Sequence, residues 1–73
     1  MIESEDSEVQ TFIEDVVVRD DDTPEILEAV RRTVFEHYPD ADERMMYGGI
    51  MFSLEEDFGA VFVHTHHVTV EFS

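Results

Sequence analysis

The sequence predicts an α+β domain, two N-terminal helices packed on a three-stranded antiparallel β-meander. Three observations carry that prediction. Apolar residues recur at offsets of three and four through the first half of the chain, and the period changes after Met45 toward strand alternation. Hydrophobic residues make up 42% of the sequence, with six Phe and two Tyr, which is too apolar for a disordered acidic tail. The 73 residues contain no Cys, so one small domain must be held by dense packing or self-association and not by disulfides or thiolate-bound metal.

The elements follow in order. Residues 1–6 read as a disordered acidic arm of the single domain. Ser7-Glu8-Val9-Gln10 fits a capping box with Ser7 as N-cap, and Val9, Phe12, Ile13, Val16 and Val17 form one helical stripe over 8–18. Arg19 to Thr23 is a loop. Asp22 or Thr23 caps the second helix, Pro24 lies in its first turn, and Glu25 and Glu28 lie near the positive end of its dipole. Ile26, Leu27, Val30, Val34 and Tyr38 form its apolar stripe, Glu28 and Arg32 an i,i+4 pair, and the helix over 24–37 stops before Pro39. Pro39 to Arg44 reads as a polar connector.

The first strand is expected over 47–54, where Gly48-Gly49 marks a bulge or a close backbone approach. Leu54 to Asp57 is a turn and 58–63 the second strand. His64-Thr65-His66 turns into a third strand over 67–72, with Val68, Val70 and Phe72 on one face and His67, Thr69 and Glu71 on the other.

From residue 26 to 72 the chain resembles the DUF1801, or YdhG-like, family. The matching pieces are Pro39-Asp40-Ala41-Asp42-Glu43, then Tyr47-Gly48-Gly49-Ile50-Met51-Phe52, then Phe58 to Val63 and His67 to Phe72. Ile50 stands where the family commonly has Pro, and Thr65 or His66 where it has Lys. Relatives commonly continue past the third strand with a further strand and helix. The resemblance implies the YdhG-like core; an intracellular protein is expected separately, because the acidic N-terminus has no basic signal region. Because some members are described as frataxin-like iron chaperones, the resemblance also implies an alternative role in iron binding. As a cofactor, iron is implied by this analogy only, and no cofactor is expected otherwise.

Several residue groups are candidates for chemistry. His64 and His66 would share a face in a continuous strand and, with Glu71, could ligate Zn or Fe; a solvated His-rich turn is the competing reading. Asp20-Asp21-Asp22 and the acids at Glu3, Glu5 and Asp6 lack the EF-hand pattern and read as caps and solvated charge. A ligand groove, if present, is expected between helices and sheet, lined by Glu43, Tyr47, Phe52 and His67. No Ser/His/Asp or Cys/His arrangement, no Gly-x-Gly-x-x-Gly and no phosphate loop occurs, so the expectation is a non-enzymatic binding or interaction module.

Charge bounds the partners. The chain has 19 Asp and Glu against four Arg and no Lys, a net charge of −15. Direct binding to nucleic acid or to an anionic membrane needs cations this chain lacks. No apolar run reaches the length of a membrane span. The acidity fits a surface adapted to a high-salt cytoplasm, where molar salt shortens the Debye length to ~3 Å. A cation or iron surface, or an acidic nucleic-acid mimic seated in a basic protein, would also use such charge. An unidentified protein partner and a homodimer complete the expectations, the latter because the core is small and Phe72 lies on a terminal strand.

Overall fold

The computed structural model describes residues 2–72. The order is α1 (Ser7–Val17), α2 (Thr23–His37), β1 (Asp42–Met46), β2 (Gly49–Ser53), β3 (Asp57–Val63) and β4 (Val68–Phe72). Among the described residues the four strands form one antiparallel sheet in the order β1-β2-β3-β4. The two helices lie on one face of it, α1 against β1 and α2, and α2 against β3 and β4. The α+β class is therefore as expected, with one strand more than the sequence predicts.

The extra strand is β1. Its sequence, Asp42-Glu43-Arg44-Met45-Met46, reads as a polar connector because one of its two inward positions is a carboxylate. Pairing sets Glu43 opposite Phe52 and Met45 opposite Ile50 on the helix side of the sheet. Glu43 is nevertheless buried, because α2 supplies a cation to meet it. The expected strand over 47–54 loses its start, beginning only at Gly49, because the two residues before it form a turn. Tyr47 and Gly48 are the two-residue turn between β1 and β2, with φ of 48° and 78°. Two consecutive positive φ values match the hairpin turn whose twist suits the flanking strands. Gly48 adopts this freely, whereas Tyr47 does so with its side chain 93% exposed.

Gly49 meets the expectation of a close approach. A Cβ there would lie 2.3 Å from the Val61 carbonyl oxygen and 2.8 Å from the Phe62 Cα. Because both obstacles are backbone, Gly49→Ala should destabilise the domain by about 3 kcal/mol, seen as a lower urea midpoint with unchanged slope. The bulge lies elsewhere. Phe52 pairs with Gly59 but Ser53 with Asp57, so the register shifts by one residue at Phe58. The Phe58 ring packs against that of Tyr38, tilted by 48°, with ring centres 4.8 Å apart.

The cap of α1 differs from the sequence reading, while that of α2 falls on Asp22 as expected. Asp6, not Ser7, caps α1, its Oδ1 accepting from the Glu8 and Val9 N–H groups. Gln10 reaches back to accept from the Ser4 N–H at 2.7 Å. Asp22 holds the N-cap position of α2 without a side-chain bond, and Asp21 instead accepts from the Thr23 N–H. The acidic arm carries further contacts from Ile2 on, whose carbonyl accepts from Arg31; Met1 lies outside the described residues.

The core is built from Val9, Ile13 and Val16 of α1, Leu27 and Val34 of α2, Ile50 and Phe52 of β2, and Val61 of β3. Val17, Ile26 and Tyr38, read as stripe residues, remain well exposed at the margins. Arg31 takes their place inside. It follows Leu27 by four and precedes Val34 by three, so helix geometry points it at the sheet. Its side chain is 1% exposed and Glu43's is 4%. Two parallel bonds join them, Nε to Oε1 at 2.5 Å and Nη2 to Oε2 at 3.1 Å, and Nη1 donates to the Ile2 carbonyl. The guanidinium also lies 5.9 Å from the Phe35 ring centre.

Candidate functional site

The site with the most open chemistry is the free side of β4. This strand pairs with β3 on one side and, among the described residues, with nothing on the other. The hydrogen-bond phase follows from its turn. The His64 N–H donates to the His67 carbonyl at 2.9 Å, so bonding alternates from there along the ladder. Thr69 and Glu71 thus direct their backbone groups at β3. Val68, Val70 and Phe72 direct theirs at the open edge.

The side chains of those same three residues lie on the helix face of the sheet, as the alternation predicts. They are not fully covered there. Val70 is 41% exposed and Phe72 58%. The Phe72 ring rests over Gly59, where a Cβ would come within 2.5 Å of it. Ala29, Val30 and Thr33 of α2 complete an apolar cleft of about 200 Å³ with Val70 and Phe72. Two helices do not span four strands, so the inner face of β4 stays partly bare.

The His-rich turn is a second feature. His64 and His67 stack with ring centres 4.2 Å apart. His64 Nε2 lies 3.1 Å from the Thr69 hydroxyl. Arg19, from the loop between the helices, donates to the His64 and Thr65 carbonyls at 3.2 and 2.8 Å while paired with Asp21. This clamps the tip of the β3–β4 hairpin to the helical layer. Thr23's backbone N–H, then its hydroxyl, and then Arg19 hold the Asp21 carboxyl below the usual carboxylate range.

A third feature is an acidic cleft of about 740 Å³, where Glu3, Glu5, Asp6, Asp40, Asp42 and Glu43 surround Phe35. Of its acids Glu43 is already committed to Arg31.

The expected ligand groove is not assembled as a unit. Glu43 is buried in its ion pair, Phe52 is fully buried in the core, Tyr47 projects from the β1–β2 turn and His67 is stacked on His64. Among the described residues no group of three or more His, Asp or Glu stands close enough to hold a metal ion. His64 and His66 lie at the hairpin tip. Glu71 lies farther along β4, opposite Ala60. The residues that sequence reasoning missed are Ala29, Thr33 and Gly59. They carry no reactive group, and their importance comes from what they leave uncovered.

The outer face of the sheet carries an ion pair in which Arg44 meets both oxygens of Asp57 at 2.6 Å. Arg44 holds the Asp57 carboxyl below its ordinary range, and Asp57 raises the Arg44 guanidinium in turn. A depressed folded-state value means that the pair's contribution is present above the unfolded carboxylate value of about 3.9 and fades as pH falls through the lower folded one. Carbon-detected NMR titration should therefore find the Asp57 midpoint below that of a free Asp, and Arg44→Gln should return it upward.

No helix among the described residues is long and apolar enough to cross a membrane. Compared with protein-family models, with curated proteins and with solved structures, the chain has no significant match.

Proposed function

We propose that this chain is a non-enzymatic interaction module of YdhG-like type, working in a salt-rich cytoplasm, whose docking surface is the β4 edge together with the cleft between β4 and α2. One observation carries the reading. The unpaired backbone groups of Val68, Val70 and Phe72 and their partly bare side chains lie on one strand, beside an apolar cleft. An added strand would gain backbone bonds along the edge and bury its alternate side chains against α2.

Edges of this kind are ordinarily blunted by Lys, Pro or an inward charge. The opposite edge, β1, has an inward charge in Glu43 and two outward ones in Asp42 and Arg44. In β4 only Glu71 is charged, and it points to the outer face. The acidic remainder keeps the molecule soluble and sets the ionic strength at which docking is strongest. A metal-carrying role has less behind it, since the His turn is occupied by its own stacking and by the Arg19 clamp.

The test is an NMR titration of dilute labelled protein in molar KCl with the acetylated pentapeptide Thr-Val-Thr-Val-Arg as probe. Saturable shifts confined to Val68–Phe72, Ala29 and Thr33 are expected. Shifts confined to the His turn or the acidic cleft would refute the reading.

A further inference from the structure

We infer that the occupant of the β4 edge is a second copy of this chain, paired antiparallel about a two-fold axis through Val70. This deepens the docking reading above and rests on it.

Self-pairing is first a matter of register. With Val70 opposite Val70 of the second copy, Val68 stands opposite Phe72 and Phe72 opposite Val68. All three are residues whose backbone groups face the edge, so each of the three pairs closes two N–H···O=C bonds. A shift of one residue would oppose edge-facing groups to groups already spent on β3. The side chains agree with the backbone. Val68, Val70 and Phe72 of both copies merge on the helix face into one apolar stripe. On the outer face Glu71 stands opposite Thr69 of the second copy, so the only charged residue of the strand never meets itself.

The helices fit the same axis. α2 packs on both β3 and β4, which places it between them. Its distance to the symmetry-related helix is then about two strand spacings, ~10 Å, within the range of packed helices. The residues of α2 that line the cleft beside β4 are Ala29 and Thr33, small enough for close approach, and Ile26, 41% exposed, shares a neighbouring hollow with Val68. A two-fold, isologous contact of this kind closes on itself and leaves β1, with its charges, as the outer edge of an eight-stranded sheet.

Mass action and charge set the conditions. Each copy brings a net charge of −15, so association should strengthen as KCl rises. Sedimentation velocity of the wild type in molar KCl should give twice the 8.5 kDa chain mass, with the dimer fraction falling at low salt. Val70→Lys should weaken association by about 100-fold or more while circular dichroism stays that of the folded chain, because it sets two cations against each other at the axis.

Cysteine variants read the register in a chain that otherwise has none. In the proposed pairing the two Val70 Cα atoms are ~5.5 Å apart, within disulfide reach, whereas the two Thr69 and the two Glu71 positions are diagonal. Under mild oxidation Val70→Cys should cross-link at least about tenfold faster than Thr69→Cys or Glu71→Cys. A wild type that stays monomeric at high concentration in molar KCl overturns the proposal. So does a dimer indifferent to Val70→Lys, or faster cross-linking at Thr69 than at Val70. A monomer whose β4 amides still respond to the pentapeptide overturns the second copy alone; a monomer that ignores the peptide overturns the docking reading as well.

Discussion

Glu43→Ala should remove about 3–5 kcal/mol of the domain's stability, a large share of the whole. The substitution removes the carboxylate and keeps a guanidinium that is 1% exposed. Breaking a buried pair from one side costs about 3–5 kcal/mol, because the remaining charge has neither water nor counter-ion. A 73-residue chain has a total stability of only about 4–11 kcal/mol. The Phe35 ring and the Ile2 carbonyl are weak substitutes for a carboxylate that makes two parallel bonds. Urea unfolding followed by circular dichroism reads the loss directly.

The partner variants discriminate the cause. Arg31→Ala should be comparably damaging, since Glu43 is then the stranded charge. The double change Arg31→Met with Glu43→Leu should recover most of the loss, because an apolar pair of similar volume has no desolvation cost. If Glu43→Ala alone were neutral, the pair would be solvated and β1 would not be held through it. The pair also explains the attachment of β1, whose sequence has little strand preference of its own. Without it, the edge strand loses its one deep anchor, leaving Met45 alone on the helix face.

Raising KCl from ~0.1 to ~2 M should lift the thermal midpoint by about 20 °C or more. The charge of −15 is confined to a body whose Cα radius of gyration is 11.3 Å. At 0.1 M the Debye length is ~10 Å, so each acid still repels its neighbours within about that distance, whereas at 2 M it falls below ~3 Å and little repulsion is left. The unfolded chain, with a radius of gyration of roughly 26 Å, spreads the same charge and relieves it. Debye-screened Coulomb work for the two sizes leaves about 5 kcal/mol less folding stability at 0.1 M than at 2 M. The four Arg do little to offset this. Arg31 is spent on Glu43, and Arg19, Arg32 and Arg44 each meet a single exposed carboxylate. A midpoint that does not move with KCl would sink the high-salt account of this surface. A rise produced equally by stoichiometric Mg²⁺ in low salt would transfer the effect to specific cation binding.

The helices and the last three strands were legible in the chain because their signals are local. Val9, Ile13 and Val16 repeat with the helical period, Pro24 and Pro39 bracket α2, and β4 alternates cleanly. β1 and the inward place of Arg31 escape the sequence for one physical reason. A polar residue at an inward position makes its segment look solvent-facing in the sequence. Glu43 hid β1 in this way. Arg31 stands at the right offsets from Leu27 and Val34, yet its charge keeps it out of an apolar stripe read from the sequence. Each is tolerable inside only because the other is there, and the two are twelve residues apart. Periodicity scores one segment at a time and has no access to that pairing.

The candidate site shows the same division. The sequence alone established that Val68, Val70 and Phe72 share a face, that few cations are available for phosphate, and that nothing marks a nucleophile. The covering of that face was settled by packing. Two helices resting on a four-stranded sheet protect β2 and most of β3 and fall short at β4, and Gly59 leaves room for the Phe72 ring to lie over the strand. Side-chain pattern is a property of neighbours along the chain and can be read there. Exposure is a property of what arrives from elsewhere in the fold, so the open edge of β4 became visible only once α1 and α2 had taken their places on the sheet.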